Sequence, residues 1–118
     1  DIYCMVPIRS NWSLKAIRVY NDAVTGGTSY DLGIYTTAAT PVVVDADAYA
    51  SAIDMSSART SAPLDAAFEA RNITAINNKV WQDAGLSADS GAWYWLALTA
   101  NTVGTAAGDI TIVIEYTE

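Results

Sequence analysis

The stretch 109–116 constrains this chain most, because it can hardly be anything but a strand. Ile110, Ile112, Ile114 and Tyr116 fall on one parity, and Thr111, Val113, Glu115 and Thr117 on the other. That is the period-2 alternation of a half-covered strand, in residue types that favour extended backbone. Residues 104–108, bounded by Gly104 and Gly108, read as a turn. Residues 92–99 precede it and are apolar on both parities, as expected of a strand covered on both sides. The turn predicts that these two strands pair antiparallel. Trp93 and Trp95 share a face and are expected to fill the core, with Tyr94 facing the other way.

The front of the chain repeats the style. Residues 2–8 predict a first strand ended or edged by Pro7, and residues 13–20 a second. A loop of turn formers follows at 21–27, and then residues 29–36 alternate again with Tyr30, Leu32 and Ile34 on one face. Gly33 inside that strand predicts a bulge or a close neighbour. Residues 41–44 suit one more short strand.

The middle has a different period. Asp45 or Asp47 can cap a short helix in which Ala46, Tyr49, Ala50 and Ile53 lie at i, i+3, i+4 and i+7. Residues 56–63 read as an exposed loop and 64–72 as room for a helical turn. Residues 74–84 read as a helix ended by Gly85, with Trp81 packed on the sheet. The expected fold is mainly β, an antiparallel, jelly-roll-like β-sandwich of about six to eight strands with short helices mid-chain. The 118 residues fit a single domain spanning 1–118.

Composition narrows the chemistry. There is no histidine and one cysteine, Cys4, so the commonest general base, a multi-thiolate zinc site and an internal disulfide are all excluded. Cys4 is expected to be a small buried apolar residue. Net charge is −7 with no run of Lys or Arg, which argues against nucleic acid and anionic membranes as partners. No apolar run approaches a membrane span, and the start shows no basic segment followed by an apolar one, so no signal peptide is expected. Asp45 and Asp47 resemble half a calcium loop, but the following glycine and terminal glutamate are missing. No pair among the 13 acids stands out for glycoside hydrolysis. No serine has a base to activate it, and Gly26-Gly27 lacks the Lys-Ser/Thr of a phosphate loop. The expectation is therefore no catalytic residue, no metal and no cofactor.

A binding role remains. The hydrophobic fraction of 52% is generous for a monomer, and surplus apolar surface tends to be used in contacts between chains. The candidate contact residues are Ile2, Tyr3, Met5, Pro7, Trp12, Val24 and Tyr35. They lie mostly on the segment 1–12 and the loop 21–28, with the loop 56–63 as a further contact segment. Trp12, between polar Asn11 and Ser13, is the expected exposed aromatic.

The series formed by residues 6–10, 14–22, 30–35, 44–54, 80–86 and 104–112 resembles small virion structural proteins of tailed bacteriophages, of the head decoration or capsid cement type. The resemblance implies a β-sandwich, location on the capsid surface, the major capsid protein as partner, homo-oligomers (often trimers) and no enzymatic activity. Three other readings stay open: a tail or head-fibre component, a carbohydrate-binding module using Trp12 or Trp93 and Trp95, and a hydrolase with a carboxylate pair.

Overall fold

The computed structural model describes residues 2–102, 104 and 108–118. Seven strands account for most of it: β1 (Ile2–Arg9), β2 (Ser13–Asn21), β3 (Ser29–Thr36), β4 (Val43–Ile53), β5 (Arg59–Asp65), β6 (Trp93–Thr102) and β7 (Ile110–Thr117). They form a four-stranded sheet in the order β1-β6-β3-β4 and a three-stranded sheet in the order β5-β2-β7. Every pairing is antiparallel, and the two sheets pack face to face as a β-sandwich.

Alternation puts Ile8, Leu32, Ile34, Leu96 and Leu98 on the inner face of the larger sheet, and Leu14, Ile17 and Val19 on that of the smaller. All eight are fully buried. Each contributes about 1.5–3 kcal/mol relative to exposure.

Several expectations are corrected. The turn at 104–108 does not join paired strands: β6 pairs with β1 and β3, while β7 pairs with β2 in the other sheet. Of that turn only Gly104 and Gly108 are described, and residues 105–107 lie outside the described residues. The helix placed over Ala46–Ile53 is instead strand β4, which also takes in Val43 and Val44, the second half of the segment 41–44. Its register explains the false period. Ala50 faces Leu32 and Asp45 faces Ile34, so five steps along β4 match two along β3, and the extra residues break the alternation. The loop at 56–63 is largely β5. The helix over 74–84 shrinks to a 3-10 turn at Ile73–Ala75 and the single α-turn α1 (Val80–Asp83).

The glycine inside β3 is a close approach, as expected. A Cβ on Gly33 would collide with backbone atoms of Asp45 and Ala46, where β4 bulges across β3.

Candidate interaction surface

The best-defined exposed feature begins at the turn between β1 and β2, which carries Trp12. Trp12 N–H donates to Arg9 O at 3.0 Å, closing the turn, and the segment 66–92 holds it from outside. Val80 N–H donates to Trp12 O at 2.7 Å, Trp81 N–H to Ser10 O at 3.1 Å, and Ser10 N–H to Ala92 O at 3.0 Å. The buried Ser10 hydroxyl donates to Asp89, and that bond, with Gly91 N–H, pulls the Asp89 carboxyl below its ordinary value. Trp12 is therefore held by backbone bonds before its ring touches anything.

The clamp is itself anchored in the interior. Arg71 Nη1 and the Tyr49 hydroxyl both donate to Asp83 Oδ2, at 2.9 and 2.8 Å. Arg71 Nε donates to Ala67 O at 2.9 Å and Nη2 to Leu14 O at 2.8 Å, and the guanidinium lies over the Tyr49 and Phe68 rings. Burial pushes the Asp83 carboxyl up, against the opposing pull of Tyr49 and Arg71. Burial, reinforced by Asp83, pushes the Tyr49 hydroxyl well up. This network joins β4 to the segment carrying α1, a structural role for a buried pair.

On this support sits an aromatic cluster. Trp12 stacks on Tyr116 of β7 with centroids 3.8 Å apart and planes 11° from parallel, and meets Trp93 of β6 edge-on at 5.5 Å. The Arg9 guanidinium lies 5.8 Å from the Trp93 ring centroid, within cation–π range. Trp93 is 45% exposed and Tyr116 44%, so one face of the cluster is packed and another open. Pro7, in register with Trp95, extends this side along the outer face of the larger sheet.

The parity expected for β6 is thus reversed. Tyr94, Leu96 and Leu98 point into the core, whereas Trp93 and Trp95 point out. The buried Tyr94 hydroxyl has Ser90 Oγ at 2.8 Å as its partner, which makes the inward position tolerable.

The seven candidate contact residues are dispersed. Ile2, Tyr3 and Pro7 are exposed along β1, and Met5 is a half-buried bulge residue. Trp12 is half buried in its cluster instead of freely exposed. Val24 and Tyr35 are withdrawn as surface contacts. Val24 is buried because its loop is tied to Met55 by Val24 N–H to Met55 O and Met55 N–H to Gly27 O. Tyr35 is buried although its strand position faces outward: it sits in register with Trp95, yet its hydroxyl reaches Thr99 Oγ1 at 2.6 Å, past the Gly33–Ala97 pair. Cys4, expected buried, is exposed on β1. Arg9 lies in the expected contact segment 1–12 and Trp93 was named only for the sugar-binding reading, while Tyr116 was not singled out; the cue for the outward Trp93 was the aliphatic set Leu96 and Leu98 on the opposite parity to the tryptophans.

Other chemistry is sparse. Asp45 and Asp47 lie in β4 and do not cap a helix; burial, then the neighbouring Asp47, raises the Asp45 carboxyl. Among the described residues no three acidic or thiol side chains converge as a metal site. A shallow, open depression of about 220 Å³ is lined by Asn21, Asp22, Arg59 and Asp109, among others. Arg59 there is occupied by Asn21 Oδ1 at 2.9 Å. No helix among the described residues is long and apolar enough to cross a membrane.

Comparison with protein-family models, with curated proteins and with solved structures found no match to this chain.

Proposed function

We propose that this chain is a non-enzymatic structural protein of a tailed-phage virion, which binds the outer capsid surface through the major capsid protein and stabilises the mature head. The observation that carries a docking role is the half-open aromatic cluster Trp12–Trp93–Tyr116, fixed on a rigid sandwich by the clamp of residues 66–92. Pre-positioned, partly exposed Trp and Tyr side chains are what protein interfaces use as anchors. The resemblance of the segments supplies the setting. A protein that binds only the mature lattice stabilises it by mass action, and the charge of −7 keeps it from packaged DNA.

The test is co-sedimentation of the purified chain with phage particles from its source, with copies per particle counted. Binding in multiples of the capsid lattice, reduced at least tenfold by Trp93→Ala, supports the reading. A few copies per particle would instead indicate a tail or head-fibre position. No binding, together with a tryptophan fluorescence change on addition of a glycan, would replace it with the carbohydrate-binding reading, since the open faces of Trp93 and Tyr116 are also a sugar platform.

A further inference from the structure

Four strands are sheet edges, and three of them are guarded. β1 has Pro7 in its interior and a bulge at Met5. β4 slips register three times against β3. β5 contains Pro63 and slips where Val19–Asn21 faces Leu64–Arg59. Proline, bulges and broken register are the devices that stop edges from adding strands. β7 has none of them: Ile110–Thr117 contains no proline, glycine or lysine. The one irregularity in its pairing, between Leu14 and Ala16, puts the extra residue on β2 and leaves β7 straight.

Its free edge can be oriented. Asp22 N–H donates to Asp109 O at 2.9 Å, one step beyond the Asn21–Ile110 pair. The odd-numbered backbone groups of β7 therefore face β2, and the N–H and C=O groups of Ile110, Ile112 and Ile114 face away from the sheet. Among the described residues, these groups have no backbone partner. The side chains of the same three isoleucines are only half buried.

We propose that the β7 edge is the contact through which two copies of this chain associate, β7 pairing antiparallel with the partner's β7 about a two-fold axis at Val113. The edge is self-complementary about that axis, with Ile110 opposite the partner's Tyr116, Ile112 opposite the partner's Ile114 and Val113 opposite its own copy, and charge disfavours the neighbouring register. Glu115 then faces the partner's Thr111 and Asp109 the partner's Thr117, so no two acids oppose, whereas an axis at Ile112 sets Asp109 against the partner's Glu115. Glu115 is also matched within its own chain by Arg18 at 2.8 Å. The pairing makes one six-stranded sheet, covers the half-open isoleucines and gives a closed dimer, in place of the trimer that the resemblance implies. It stands apart from the capsid reading, because it concerns the purified chain in solution.

Val113 is 43% exposed, so substituting it spares the core, and each variant's fold is checked by circular dichroism and thermal unfolding. Sedimentation velocity on the wild-type chain should show a concentration-dependent dimer. Val113→Lys alone and Val113→Glu alone should each weaken it at least tenfold, by setting like charges across the axis. An equimolar mixture of the two folded variants should restore the dimer, since position 113 then pairs opposite charges. A wild-type chain that stays monomeric, a dimer or trimer indifferent to both variants, or a mixture no more associated than its components would each overturn the proposal. So would a monomer whose β7 edge binds an added capsid-protein strand.

Discussion

The Arg71 guanidinium and the Asp83 carboxylate meet at 2.9 Å with their side chains 6% and 1% exposed, an ion pair almost wholly removed from water. Such pairs add little net stability when both partners are present, yet losing one leaves a buried charge with nothing to answer it.

Arg71→Leu is therefore expected to cost about 3–5 kcal/mol in urea unfolding, more than its loss of packing would give. Arg71→Leu combined with Asp83→Leu should recover a substantial part of that loss. A double variant as unstable as the single would show that the position of residues 66–92, and not the stranded charge, sets the cost.

Gly33 is the second sensitive position. Gly33→Ala places a methyl group into the backbone of Asp45 and Ala46. Backbone cannot step aside as a flexible side chain can, so the expected loss is about 3 kcal/mol, the upper end of overpacking costs. Thermal unfolding measures it; a change within experimental scatter would mean that the β4 bulge yields freely.

Trp12→Ala removes the stack on Tyr116 and the edge contact with Trp93. The expected cost is about 2–4 kcal/mol, below a fully buried tryptophan because the ring is half exposed. Tyr116 should gain solvent access, read as increased quenching of tyrosine emission by acrylamide. An unchanged unfolding midpoint would show that the backbone clamp alone holds the turn.

The two shifted carboxyls at the clamp predict opposite pH behaviour. Asp89 is held below its usual 3.8 by Ser10 and Gly91. Its contribution is present above the unfolded value and is lost as pH falls through the folded one, so Asp89→Asn should destabilise at neutral pH and lose its effect in acid. Asp83, raised by burial, does the reverse: its contribution is fullest below 3.8 and declines as pH rises through its folded value. Unfolding midpoints measured from pH 7 downward distinguish the two, and an Asp89→Asn penalty constant across that range would refute the first.

The strands were legible where alternation was unbroken. Residues 29–36 coincide with β3, and the first, second and last strands differ from expectation by a residue or two. The failures share a cause, loss of period. β4 imitates a helix because its register slip brings Tyr49, Ala50 and Ile53 inward at helical spacing. β6 is apolar on both parities, so choosing its inner face by size favoured the tryptophans, whereas the leucines fill the space between the sheets. The buried Arg71–Asp83–Tyr49 network left no sequence signal, because its members lie far apart in the chain and only the folded backbone brings them together. For the same reason Trp12 and Trp93 were recognised as candidate binding aromatics while Tyr116, which stacks on Trp12, was not.

The strand order also bears on how the chain is made. β1 finds its partner 80 or more residues downstream, with Arg9 against Trp93, and β2 acquires one flank only when Ser13 meets Thr117. During synthesis, then, β3 can pair with β4 and β2 with β5 early, but β1 has no partner and both sheets stay incomplete until β6 and β7 have emerged. The isoleucine-rich segment that completes the smaller sheet is also the last of the seven strands to be exposed to the cytosol of whatever cell translates it. Its interval as a bare, sticky ribbon is correspondingly brief.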